Sequence, residues 1–170
     1  MAEAYIVATA RTAGGRKGGR LAGWHPVDLA ASVLNSLVDR AGMDPAQVED
    51  VIMGCVMQVG EQSVNVARNA VMASKLPDSV PGTSIDRQCG SSQQALHFAA
   101  QAVMAGSQDI VIAAGVEAMS RVPLNAPALI DKAGMGNYMS PGIRKHYPNI
   151  QFSQFTGAEM MAQKYELSKE

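Results

Sequence analysis

Apolar positions recur along this chain with two periods, one of strands and one of helices. Residues 4–10 (AYIVATA) are short and β-branched at their centre, the pattern of a buried strand. From Pro26 the spacing turns helical, with Val27, Ala30, Ala31, Val33, Leu34, Leu37, Val38 and Ala41 on one face. Pro26 suits the first turn of that helix and Gly42 its carboxyl cap. Residues 50–55 (DVIMGC) read as a strand, 65–74 as a short helix stopped before Pro77, and 83–86 as a brief strand. Residues 91–105 (SSQQALHFAAQAVMA) make a helix with Ala95, Phe98, Ala99, Ala102 and Val103 together, closed by Gly106. Residues 109–117 (DIVIAAGVE) are almost continuously apolar, as expected of a central parallel strand buried on both faces. Strands alternating with helices predict an α/β layered domain with a mostly parallel sheet.

The pattern fades after Ser120. Residues 121–155 hold Pro123, Pro127, Pro141 and Pro148, several glycines and few long apolar repeats. A last helix is expected over 157–167 (GAEMMAQKYEL), and Ser168, Lys169 and Glu170 read as the start of another. Two regions follow, 1–120 and 121–170. The length of 170 residues suits one domain and the beginning of a second.

Composition narrows the class. With 47% hydrophobic and 17% charged residues the chain is globular, and no apolar run reaches the roughly 18 residues that cross a bilayer. The net charge of -1 lacks the basic excess of a nucleic-acid binder. Two distant cysteines without a CxxC argue against a disulfide scaffold, and no histidine pair falls at metal-ligand spacing, so no metal is expected. The amino terminus shows no signal or transit peptide, which points to a cytoplasmic protein.

Residues 84–94 (SIDRQCGSSQQ) are the most informative stretch for chemistry. Cys89 falls between an expected strand and an expected helix, a turn that lifts a side chain to the helix amino end. Free amides and the helix dipole favour a thiolate there, and Gly90, Ser91 and Ser92 leave room for a substrate. The competing reading is a small buried core cysteine. Cys55, inside an apolar strand, is expected to be such a residue. The histidines offer no convincing base. His97 lies on the same helix as the Cys89 turn, about 12 Å further along it. His25 reads as a surface or packing residue, and His146 lies in the proline-rich region. The basic loop with Arg16, Lys17 and Arg20 satisfies neither GxxxxGK[ST] nor GxGxxG and reads as solvated. Glu117, at the carboxyl end of the last strand, lies where open α/β sheets bind ligands.

The segment RQCGSSQQA around Cys89 resembles the nucleophile motif of thiolases, enzymes that make or cleave 3-ketoacyl-CoA. Arg11-Thr12 with its glycine-rich run is similar to that family's RTP-x-G loop. Gly60-Glu61-Gln62 with Asn65-Val66-Ala67-Arg68 is similar to GQN-x-AR, residues 115–120 to G-x-E-x-MS, and Ala158-Glu159-Met160 to a loop-domain segment. The resemblance implies the first half of a thiolase-like layered fold in 1–120 and the beginning of an inserted loop domain in 121–170. It implies that Cys89 attacks an acyl-CoA to form an acyl-cysteine thioester, its backbone N–H serving half of an oxyanion hole. Acyl-CoA and CoA would be substrates and products, with no further cofactor and no metal. A homodimer or homotetramer would be the assembly, with the loop from Gln62 to Arg68 near a dimer contact. The histidines and second cysteine of the family's other half have no counterpart here, so the expectation is an amino-terminal portion with little turnover alone. A ketoacyl synthase-type condensing enzyme and a non-catalytic thiolase-like binding or scaffold protein are the alternative readings.

Overall fold

The computed structural model describes residues 3–150 and 152–169. Helix α1 (Pro26–Ala41) begins where His25 Nδ1 accepts the Val27 N–H at 3.3 Å and Pro26 occupies the first turn. It ends at Gly42, whose φ of 63° returns its N–H to the Val38 carbonyl at 3.1 Å. Strand β1 (Asp50–Gly54), α2 (Val66–Met72), β2 (Gly82–Ile85), α3 (Ser91–Met104) and β3 (Val111–Gly115) follow.

The three strands form one parallel sheet in the order β2-β1-β3. Strand alternation then makes three layers. Val51, Met53 and Cys55 face α1 and α2, where Leu34, Val38, Val66 and Val71 complete the larger core. Ile52 points to the opposite face, with Ala95 and Ala99 of α3. Full burial of one side chain such as Leu34 contributes about 2 kcal/mol.

Two strand expectations need correction. Residues 4–10 form no strand: they pair with nothing among the described residues, and Val7 is 83% exposed. A strand exists only through a neighbouring ladder, and this segment lies across a cavity of about 760 Å3 from β3, with α1 and α3 also lining it. Arg40 Nη1 tethers it by donating to the Thr9 carbonyl at 2.9 Å. The second correction concerns the central strand. β1 holds that place, buried from Val51 to Gly54, whereas β3 lies at the sheet edge and only Ile112 is buried within it.

Beyond β3 the chain adds α4 (Ala126–Ile130), a π-type turn over Asp131–Met135, α5 (Pro141–His146) and α6 (Gln154–Lys164). Two compact units divide between Leu129 and Ile130. In the second, α5 starts on Ser140, whose hydroxyl accepts the Ile143 N–H, and Ser153 caps α6 in the same way. That cap starts α6 three residues before the expected Gly157, and Glu166 at φ 54° stops it before Leu167. Ser168 and Lys169 are not helical, and Glu170 lies outside the described residues. No helix among the described residues is long and apolar enough to cross a membrane.

Candidate active site

The carboxyl ends of β1, β2 and β3 gather the chemistry. Between Ile85 and Ser91 the backbone makes a tight elbow: Gly90 N–H donates to the Arg87 carbonyl at 3.0 Å and Ser91 N–H to the Gln88 carbonyl at 3.1 Å. Cys89 sits on this elbow as an exposed free thiol, just before the first turn of α3. The expected exposed position is therefore observed, and the buried-core reading of Cys89 fails.

Two facing glycines bring α3 close to the sheet. Gly54 and Gly115 are in register on β1 and β3. A Cβ on Gly54 would lie 2.3 Å from the Ser91 carbonyl carbon and the Ser92 nitrogen, and one on Gly115 would lie 2.6 Å from Ser92 Cβ. Only residues without side chains let the first turn of α3 rest there.

Cys55 differs from Cys89. It is buried, and its thiol is pushed up to about 12, first by burial and then by the negative charges of Glu117 and Asp86. Both carboxylates therefore act on the same corner of the sheet. Glu117 accepts Val56 N–H at 2.8 Å, Met57 N–H at 3.3 Å and Gln62 Nε2 at 2.9 Å. Gln62, with no exposed surface, also donates to the Met57 carbonyl and accepts Ala118 N–H at 2.7 Å. Glu117 is thus the anchor of the loop after β1, a role its sequence position alone left unspecified.

His25 is engaged at the start of α1 and lies 4.0 Å from Glu61. His97 is exposed on α3, and His146 belongs to the second unit. Among the described residues, none of the three is hydrogen-bonded to Cys89. Arg16, Lys17 and Arg20 are exposed, on a loop whose Gly18 N–H donates to Ser120 Oγ at 3.2 Å. Arg121 pairs with Glu61 through two guanidinium nitrogens and holds the Glu61 carboxyl below the ordinary glutamate range. Among the described residues no three potential ligands cluster to hold a metal ion.

Sequence reasoning named Ser91 and Asn65 but missed the hydrogen-bonding roles of both, and those of Asp86 and Ser84. Asn65 caps α2 through Arg68 N–H, donates to the Gly82 carbonyl and accepts from Ser84 Oγ. An asparagine directly before a helical run was a readable cap signal; the bonds to β2 were not.

An exposed cysteine on a strand-to-helix elbow, at the carboxyl edge of a parallel sheet, places a free thiol where α/β proteins bind ligands. A profile described as "Thiolase, N-terminal domain" matches residues 4–170, and the chain belongs to the thiolase family. Steroid 3-ketoacyl-CoA thiolase FadA6 of Mycobacterium tuberculosis is 45% identical over all of this chain and 42% of its own length. A beta-ketoadipyl-CoA thiolase of Escherichia coli is 50% identical over 72% of this chain and 31% of its own. Among solved structures, an acetyl-CoA acetyltransferase of Bacillus anthracis matches with a TM-score of 0.67 and 42% identity, covering 71% of this chain and 30% of that one. The fold is thiolase-like α/β, and the chain spans about 42% of the length of the first of these relatives.

Proposed function

We propose that this chain carries the nucleophile of an acyl-CoA acyltransferase that makes or cleaves 3-ketoacyl-CoA. One observation carries the reading: in a chain of the thiolase family, the exposed thiol of Cys89 lies on the elbow at the amino end of α3. The Cys89 sulfur attacks the thioester carbonyl of an acyl-CoA, a new S–C bond forms and the bond to CoA sulfur breaks. CoA leaves as the thiol, taking up the proton lost by Cys89, and the acyl group stays on Cys89. In this reading the Cys89 backbone N–H stabilises the oxyanion of the tetrahedral intermediate. In condensation the acyl group then passes to the carbanion of acetyl-CoA, and the Cys89 sulfur leaves as the thiolate. In cleavage Cys89 instead attacks the 3-keto carbonyl of a 3-ketoacyl-CoA and the C2–C3 bond breaks; acetyl-CoA leaves after its C2 takes up a proton, and the CoA thiol takes the acyl group from Cys89.

The reading has no metal or redox group as a resident cofactor, takes CoA only as substrate and product, and places the enzyme in the cytoplasm as a homo-oligomer. It assigns 1–120 to the nucleophile-bearing domain and 121–170 to the start of a loop domain. The two compact units divide further along the chain, between Leu129 and Ile130.

Intact-mass spectrometry with peptide mapping after exposure to acetyl-CoA tests the assignment, on this chain and on the longest polypeptide its gene encodes. A single acetyl group on Cys89, absent in Cys89→Ser, is expected. Acetylation elsewhere, or none on the longest polypeptide, overturns it.

A further inference from the structure

The residue before Cys89 holds an unusual conformation. Gln88 has φ +46°, in the left-handed region that a non-glycine side chain enters only when its surroundings impose it. Two groups impose it here. The Asp86 carboxylate accepts Gln88 N–H at 2.6 Å through Oδ1 and the Gln88 side-chain amide at 3.1 Å through Oδ2. From the opposite side Ser91 Oγ, in a residue only 5% exposed, accepts Arg87 N–H at 3.0 Å and donates to the Gln88 carbonyl at 2.6 Å. Gly90, at the cap position of α3, offers no side chain, so these bonds, with the backbone bonds of Gly90 and Ser91, shape the entry to the helix.

We infer that Asp86 is a positioning residue for Cys89. Its carboxylate holds Gln88 left-handed, and the turn so formed aims the Cys89 sulfur and its backbone N–H at one reacting carbonyl. The inference rests on the reading of Cys89 as the nucleophile. Asp86 works through its oxygen atoms as acceptors. Its charge works the other way, since a carboxylate beside a developing oxyanion opposes it. Asparagine keeps the acceptor and drops the charge, whereas alanine drops both.

Two reagents separate placement from mere exposure. Iodoacetamide alkylates any accessible thiolate. p-Nitrophenyl acetate acylates a thiol through a tetrahedral intermediate: the S–C bond forms, p-nitrophenolate leaves, and the thiol proton passes to solvent. The ratio of acylation to alkylation rate at Cys89, followed by peptide mapping, reports placement without requiring a catalytic base. Asp86→Ala should lower this ratio about tenfold, the scale set by releasing a strained left-handed residue. Asp86→Asn should stay within about twofold of the unsubstituted chain or rise slightly, because its side-chain oxygen still accepts the Gln88 N–H. Gln88→Gly in the Asp86→Ala background should restore the ratio, since glycine adopts φ +46° without a clamp.

Persistent protection of Cys55 from iodoacetamide shows in each variant that the core is intact. An unchanged ratio in Asp86→Ala, equal behaviour of the alanine and asparagine variants, or failure of Gln88→Gly to restore it with Cys55 protected, each overturns the inference. Should Asp86→Ala lose Cys55 protection, Asp86→Asn decides, and a ratio more than about twofold below the unsubstituted chain overturns the inference. A failure of acetyl-CoA to label Cys89 on the longest polypeptide instead removes the acyltransferase reading and leaves these ratios standing.

Discussion

Replacing Gly54 by alanine tests how the elbow is supported. The added Cβ would lie 2.3 Å from two backbone atoms of Ser91 and Ser92, and 2.7 Å from the Ser91 carbonyl oxygen, where ordinary contact begins near 3.4 Å. One partner must retreat by about 1 Å. β1 is held on both sides, Gly54 being in register with Ile85 and Gly115, so the first turn of α3 has to move. Overpacking against backbone costs about 3 kcal/mol, at the upper end of the usual range. The loss of unfolded-chain entropy on replacing glycine returns up to about 1 kcal/mol. The net expectation is a destabilisation of about 2 kcal/mol, read as a lower urea midpoint with unchanged slope. The acylation-to-alkylation ratio at Cys89 should fall with it, because the displaced turn carries the thiol. Gly23 is the control, with no atom within 4 Å of its built Cβ and no positive φ; Gly23→Ala should shift stability by less than about 0.5 kcal/mol. A Gly54→Ala chain as stable as that control, with Cys89 reacting normally, would refute the close-approach argument.

Three further outcomes are expected. Gln62→Leu strands the Ala118 N–H and removes one bond each from the Met57 carbonyl and Glu117 Oε1, which keep Val59 N–H and Met57 N–H, so stability should drop by about 2 kcal/mol in urea unfolding, with faster amide exchange over residues 56–62. Cys55 has a folded value of about 12 against an ordinary 9.0, so its contribution is fully present below pH 9 and is lost as pH rises toward 12. Cys55→Ala should therefore flatten the alkaline fall in stability, measured as midpoint against pH beside the unsubstituted chain. Arg121→Ala should raise the Glu61 titration toward the ordinary glutamate value in an NMR pH series; with the pair intact, its contribution is present above that value and lost as pH falls through the depressed one.

What the sequence by itself determined is local. The i, i+4 spacing of Ala30, Leu34 and Val38, with Pro26 and Gly42 at the ends, specifies α1 because helix bonds and caps lie within a few residues of each other. The elbow of Cys89 was legible for the same reason, since the strand end, the glycine and the helix start are adjacent in the chain. Even the unexpected α5 carried its signal in Ser140-Pro141, a cap followed by a first-turn proline. Tertiary structure decided what depends on distant partners. Residues 4–10 have strand chemistry but no ladder among the described residues, because pairing is a property of two segments and not of one. The exchange of central and edge places between β1 and β3 follows from strand order, which no single strand encodes. Gln62 meets Glu117, and Gly54 meets Ser91, only after the sheet has brought its carboxyl ends together; there, burial turns an ordinary amide and a missing side chain into the supports of the thiol corner.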